Sequence, residues 1–538
     1  MANRIFREVP GSKVKRNAFN LSHERKLSLD MGKLVPILCT EVVPGDTFRV
    51  NSEIMLRFAP MFFPVMHRID VYVHYFFVPN RIIWNEFEEF ITGGDDGKAN
   101  PIFPRIRINP SNWDEWDQYH GHNGSLADYL GVPYLPAPAQ GSVHEISALP
   151  FRAYAKIYDE YYRDQDLMEP INMSSSSGII TTLDNVVQLQ DRCWEKDYFT
   201  SARPWAQKGE SVTLPMAGAG QLDVELDYNS LDGNNSAKWI YADGQEAQGG
   251  NIISGPTGTV GEQVTDPGPH APVWYEPYGS MKVDLSQANF TAATINELRR
   301  AFQLQKWMER NARSGSRYTE VLRAHFGVKS SDARLQRPEY LGGGRQKVSI
   351  SEVLQTSETT ENSPQGEMAG HGISIGNTNR FKAFFEEHGY VIGIMSVLPR
   401  TAYQQGLPRH LQKFDRFDYY WREFAHIGEQ EIKNNELYVQ SSRDANNETF
   451  GYAPRYSEYK YLPSTVHGDM RSTLNAWHLG RIFSEKPVLN EEFVKSNPSL
   501  RIFNVETNEY HHLWCHIYNN VKAIRPMPVF GEPGLIDH

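Results

Sequence analysis

Strand-like segments in this sequence are few, short and widely separated. Residues 46–58 alternate: Phe48, Val50, Ser52, Ile54, Leu56 and Phe58 take every second position, with Arg49, Asn51, Glu53 and Arg57 between them. A period of two predicts a strand with one buried face. Residues 69–78 are apolar or aromatic at nearly every position, the composition of a strand covered on both faces. Residues 347–354, 381–398 and 511–522 have similar strand character, with Gly389 expected at a turn or bulge. Between them the spacing turns helical over 81–92, ending at Gly93-Gly94, and over 146–165. The clearest helix is predicted over 294–313, where Ile295, Leu298, Phe302, Gln305, Met308 and Ala312 form one stripe expected to pack on the body. No repeat of 20–50 residues is present, which disfavours a solenoid or propeller. About eight strand candidates spread over more than 450 residues do not suit a doubly wound sheet; they predict an all-β core, an antiparallel sandwich with greatly extended loops.

Length alone, 538 residues at roughly 150 per domain, would suggest three or four domains, or one large decorated domain. With 40% hydrophobic residues the chain can bury a sizeable core. Three cysteines, Cys39, Cys193 and Cys515, are too few for a disulfide framework and suit a reducing compartment. The longest apolar stretches fall short of the roughly 18–20 residues of a spanning helix.

The net charge of −11 is distributed unevenly. Residues 1–33 carry eight basic side chains against three acids, a local +5, with no apolar segment of a secretory signal behind them. Residues 208–280 carry ten acids against Lys208 and Lys238, a local −8, and twelve glycines, which predicts a loop-rich solvated excursion with short strands. In the basic arm, Arg4, Arg7, Lys13, Lys15 and Arg16 lie near Phe6 and Phe19, a combination that neutralises phosphates and stacks on unpaired bases. The same arm is equally suited to packing on a neighbouring subunit or to solubilising the terminus.

Catalytic motifs are missing from the sequence. It has no GxxxxGK[ST] loop, no GxSxG elbow and no HExxH, and Gly342-Gly343-Gly344 lacks dinucleotide spacing. The best metal candidate, His511, His512, Cys515 and His516, lies in a strand-like context where positions four apart stand about 13 Å apart, so a structural role is expected. Asp223, Glu225 and Asp227 imitate a calcium loop, but Tyr228 stands where such a loop needs glycine. The pairs Asp95-Asp96, Glu386-Glu387 and Glu491-Glu492 are expected to be solvated. Neither a cofactor nor a metal is implied.

Ordered blocks along the chain carry a resemblance. They are FNLSHERKLSLDMGKLVPI with VVPGDTFRVNSEIMLRFAPMFFPVMHRIDVYVHYFFVPNRIIW within 19–84, TINELRRAFQLQKWMERNARSGSRYTEVLRAHFGV from 294, DARLQRPEYLGG from 332, EHGYVIGIMSVLPRTAYQQGLPR from 387 and FGYAPRYSEYKYLPSTVHGDMR from 450. With these blocks the chain resembles the major capsid proteins of microviruses, specifically the gokushovirus branch. The resemblance implies an eight-stranded antiparallel jelly roll of the viral capsid type with long helix-containing insertions. Sixty copies, grouped in pentamers, would form a T=1 shell around a circular single-stranded DNA genome. It also implies an internal scaffolding protein, a small basic DNA-packaging protein, a pilot protein and a host surface receptor as partners, with assembly in the bacterial cytoplasm and residence in the virion. The expected organisation is a basic arm over 1–45 and a single jelly-roll domain over 46–538. That domain would contain a helical insertion over 81–180, an acidic glycine-rich surface insertion over 205–282 as the threefold protrusion, and a helix-containing insertion over 290–345. Asp223, Glu225, Asp227, Asp232 and Asp243 are the candidates for that protrusion. The alternative from another class is a jelly-roll carbohydrate-binding or carbohydrate-active protein, whose carboxylates would converge in a cleft.

Overall fold

The computed structural model describes residues 15–181, 185–210, 212, 295–314, 317–354, 368–507 and 509–530, together with eight short strands between 217 and 291. The chain divides into two compact units, residues 1–209 with 308–538, and residues 210–307.

The larger unit is built on two antiparallel sheets. Five strands come from the beginning of the chain: β1 (Asn17–Asn20), β2 (His23–Leu29), β3 (Val35–Val42), β4 (Thr47–Phe58) and β5 (Ile69–Pro79). Five more come from beyond residue 338: β6 (Glu339–Lys347), β7 (Ser349–Leu354), β8 (Met368–Phe384), β9 (Gly389–Pro399) and β10 (Leu513–Arg525). One sheet has the order β1-β10-β4-β8-β7, with β2 also on β10, and the other has the order β6-β5-β9-β3. A shared core joins them: Leu56, Phe58, Ile517 and Val521 of the first meet Val71, Val73, Tyr75, Val391 and Met395 of the second. The sheets therefore pack face to face.

Their outer faces differ. Along β4 buried and non-buried residues alternate from end to end, as the period of two predicts, so its polar face is left open. Strands β5 and β9 are buried at nearly every position. A second core covers the far face of their sheet, setting Phe76, Val78, Ile392 and Ile394 against Trp84, Trp116, Phe151, Tyr154 and Ile157. Three of these side chains come from helix α1 (Leu149–Ile157), where three-residue spacing puts them on one face. Gly389 opens β9 because a Cβ there would lie 2.3 Å from the Val78 carbonyl oxygen.

Several expectations need revision. Residues 17–42, expected as part of a basic arm, form β1–β3 and sit in both sheets, because their short apolar runs pair with distant strands. The helix expected over 81–92 is a single turn, Asn80–Ile82, followed by a short helix, Phe87–Thr92, closed by Gly93 at φ 80°. The helix expected over 146–165 starts only after a strand, His144–Ser147, which pairs with Arg105–Ile108. Helix α2 (Ile295–Ser314) forms, but among the described residues of its stripe Ala312 alone is buried, Leu298, Gln305 and Met308 are half-buried, and Phe302 is 64% exposed. The boundary between the two units falls within this helix.

In the smaller unit the short strands pair in nested order. Ala217–Gly218 pairs with Phe290–Thr291, Val224–Leu226 with Met281–Val283, Lys238–Tyr241 with Pro272–Tyr275, and Ile253–Ser254 with Val260–Gly261. The four pairs are separate two-stranded sheets whose nested order is that of an antiparallel ribbon.

Two residues test this architecture. Phe385 packs between Phe48 and Phe77, with ring centroids 5.5 and 4.7 Å away. Phe385→Ala is expected to cost about 3–5 kcal/mol in a urea titration. His74 on β5 lies 2.8 Å from the Tyr162 hydroxyl, and burial, followed by the charge of Arg192, pushes its pKa down to about 4 from 6.5. The unfolded chain therefore takes up this proton first; the contribution of His74 to stability is complete above pH 6.5 and is lost as the pH falls toward 4. The urea midpoint should fall across that window, and less steeply in His74→Gln; equal slopes would refute the assignment.

Candidate nucleic-acid interface

Among the described residues, the open face of the six-stranded sheet carries a row of unneutralised positive charge. On β4, Arg49 stands directly opposite Lys382 of β8 on one side and Lys522 of β10 on the other. One step along, Asn51 stands between Arg380 and Asn520. Side chains at directly opposed positions lie about 5 Å apart, where like charges destabilise a sheet. Among the described residues, none of Arg49, Arg380, Lys382 and Lys522 forms an ion pair. These four, with Val50, Asn51, Phe381 and Asn520, line an open groove of about 600 Å³ that no carboxylate enters. A row of cations held at strand spacing with no internal counter-ion is relieved by an external polyanion.

Aromatic surface accompanies the charge. Phe384, 51% exposed, lies two residues beyond Lys382, and the Arg16 guanidinium sits 5.3 Å from its ring centroid. Trp514, 50% exposed, stands opposite Arg57 on the same face. Exposed rings among cations form a surface on which unpaired bases stack.

Of the residues singled out in the arm, Arg16 is thus brought to the edge of this row, and Lys15 is exposed just before it. Arg4, Arg7 and Lys13 lie outside the described residues. Among the acidic candidates, Glu225 belongs to the strand Val224–Leu226, opposite Lys282, and Asp223, Asp227, Asp232 and Asp243 lie outside the described residues. Arg49, Arg380, Lys382 and Lys522 were not singled out from the sequence. Their signal was present in the polar phase of 46–58 and in the alternation of 379–384 and 519–525, but only the register shows that three of them meet.

The histidine group divides among separate partners. His511 Nδ1 lies 2.9 Å from Ser28 Oγ, His512 lies between Asp30 Oδ1 at 2.9 Å and the Val505 carbonyl at 2.8 Å, and His516 Nε2 lies 3.2 Å from Glu24 Oε2. His511 and His512 precede β10, which begins at Leu513, so the strand expected from residue 511 starts two residues later. Cys515 faces the core, where burial pushes its thiol up to about 12. Among the described residues, no three His, Cys, Asp or Glu side chains converge as a metal site. Two of the carboxylate pairs are engaged and not simply solvated: Glu387 binds Arg81 at 2.5 Å and Glu491 binds Lys495 at 2.6 Å.

The chain matches the family model described as capsid protein (F protein) over residues 7–535. It is 38% identical to capsid protein VP1 of Chlamydia phage 1, over 99% of this chain and 98% of that protein. It is 36% identical to capsid protein VP1 of Bdellovibrio phage phiMH2K, over 98% and 97% of the two chains. With capsid protein VP1 of Spiroplasma virus 4 the identity is 31%, over 98% and 97%. These relatives are structural proteins of a multimeric shell and not enzymes, which sets aside the carbohydrate-active alternative. With a match that spans nearly its whole length, this chain belongs to the phage capsid protein (F protein) family.

Proposed function

We propose that the chain is the jelly-roll subunit of a T=1 icosahedral shell of sixty copies enclosing a circular single-stranded DNA genome, with the open face of the six-stranded sheet turned toward that genome. The strand orders support the jelly roll: β1 and β2 act together as one strand beside β10, giving four-strand layers of β1/β2-β10-β4-β8 and β3-β9-β5-β6. With this pairing the chain changes layer at every step except between β5 and β6, which lie side by side in one layer, the order of a jelly roll. The observation that carries the genome-facing reading is the Lys382–Arg49–Lys522 row, which has a phosphate-binding surface's charge and no protein counter-ion among the described residues. The arm residues Arg4, Arg7, Lys13, Lys15 and Arg16, which precede the strand at Asn17 in sequence, serve the same genome contact.

The acidic block over 205–282 is the outward projection and contributes to attachment at a host surface receptor. The net charge of −8 over residues 208–280 and the pairing of the short strands within the block support this. An internal scaffolding protein, a small basic DNA-packaging protein and a pilot protein complete the assembly, which takes place in the bacterial cytoplasm before the protein becomes part of the virion. Three unpaired cysteines agree with synthesis in a reducing compartment.

Fluorescence anisotropy with labelled single-stranded DNA tests the genome face. Each phosphate contact contributes about 0.7 to the slope of log K against log salt, so Arg49→Gln with Lys522→Gln should lower the slope by about 1.4. An unchanged slope would remove the sheet face from the interface. Charge reversal of the five arm residues should reduce genome packaging and particle stability. Particles packaged normally would sink the arm's role. A particle map placing residues 205–282 on the inner wall would overturn the projection.

A further inference from the structure

The four-stranded sheet is electrically polarised along its strands. At the start of β5, Asp70 is buried, and its Oδ2 gathers three guanidiniums: Arg345 of β6 at 2.8 Å, Arg68 at 3.2 Å and Arg400, just past β9, at 3.7 Å. Glu195 pairs with Arg400 and accepts a hydrogen bond from the Tyr72 hydroxyl. Arg192 lies 4.1 Å from the Tyr72 ring centroid and donates to Ser396 Oγ at 2.7 Å. Four guanidiniums against two carboxylates leave a surplus of +2. The carboxylates hold the guanidiniums in position without neutralising them, and the side chains of Arg68 and Arg400 remain 48% and 40% exposed.

The other end of β5 has the opposite sign. The strand leads into the turn Asn80–Ile82 and the short helix Phe87–Thr92, around which Glu86, Glu88, Glu89, Asp95 and Asp96 are exposed, with Lys98 as the one cation between 86 and 98. That stretch therefore carries −4. The turn before β9, with Glu386 and Glu387, lies at the same end, because Gly389 pairs with Pro79 and His388 lies 5.9 Å from the Phe87 ring. Eleven residues of strand separate the two ends. At about 3.3 Å per residue that is roughly 33 Å, so the two patches do not meet within one copy.

We propose that the Arg68–Arg345–Arg400 cluster receives the acidic 86–98 tip of a second copy, so that the sheets of neighbouring copies meet head to tail. Contact between unlike patches repeats in one direction and closes into a ring when the rotation per step allows it. Copies of a chain with a net charge of −11 repel one another, and they can approach where the sign reverses locally. Asp70 and Tyr72 alternate with Val71 and Val73 of the shared core, so the cluster faces away from it, on the opposite side of the sandwich from the Lys382–Arg49–Lys522 row. A protein carboxylate, and not the genome, is therefore the anion that suits it. This contact rests on the shell reading above.

The test is expression with the phage's own assembly partners, reading particle yield by gradient sedimentation and negative-stain microscopy. Arg68→Glu alone, and Glu88→Lys with Glu89→Lys and Asp96→Lys, should each cut the yield by about tenfold or more, as expected for loss of close charge pairs. Combining them should restore most of it. A tip variant that assembles at the wild-type yield, or a combination no better than the worse parent, would overturn the contact. If Arg68→Glu fails a urea-unfolding check, Arg68→Cys with Asp96→Cys decides: oxidation should link copies into a ladder of oligomers, and its absence would be equally fatal. A wild-type chain that never forms particles would instead bring down the shell reading, and this contact with it.

Discussion

Strand β5 is removed from water on both faces, and most of the larger unit is organised around that condition. Its inward residues, Val71, Val73, Tyr75 and Phe77, belong to the core shared by the two sheets. Its outward residues include Asp70, Tyr72 and His74, polar groups whose desolvation must be offset by partners within the protein. The long connection after β5 supplies Glu195 for Tyr72 and Tyr162 for His74, while Asp70 is held by Arg68 just before β5, Arg345 of β6 and Arg400 just past β9. The connections after β5 are therefore structural components of the sheet they cover. The same logic places Tyr154 of α1, whose hydroxyl donates to the Leu34 carbonyl at 2.8 Å and ties the covering layer to the beginning of β3.

Covering one sheet leaves the other open, and this asymmetry gives the subunit two distinct sides. The side insulated by a second core carries pairs of opposite charge. The uncovered side carries a row of like charges, which a monomer would otherwise select against. A shell subunit has to present different chemistry inside and outside while burying its flanks against copies of itself. A sandwich with one insulated and one bare sheet meets that requirement without a second domain, which is why a length suggestive of three or four domains resolves into one large unit and one small one.

The legible parts of the fold were those whose pattern is local. The alternation of 46–58 and the unbroken apolar run of 69–78 specified β4 and β5 nearly to the residue, because one-sided and two-sided burial leave different periodicities. Strand β6 was missed: Glu339–Lys347 contains three consecutive glycines and has little apolar character, and it is held by pairing with β5 across more than 260 residues of sequence. At Gly343 a Cβ would stand 2.2 Å from the Val73 carbonyl oxygen, so glycine there marks close backbone approach and not a loop. Strands β1–β3 are hidden for a similar reason, since they are short, lie within or beside a basic run, and pair with β9 and β10 at the far end of the chain. The candidate interface was half visible. Arg16 was recognisable as part of a basic run, whereas Arg49, Lys382 and Lys522 become neighbours only through strand register.

The nested ribbon has a consequence for how such a chain can change. Its outermost pair, Ala217–Gly218 with Phe290–Thr291, brings the two ends of the excursion side by side. A segment whose ends are already joined can lengthen or shorten at little cost, because doubling a closed loop adds only about 0.6 kcal/mol of closure entropy. Insertions, deletions and wholesale replacement between those ends are therefore filtered by what the segment touches and hardly at all by folding of the sandwich. The ribbon is thus a place where this protein can change length at little cost.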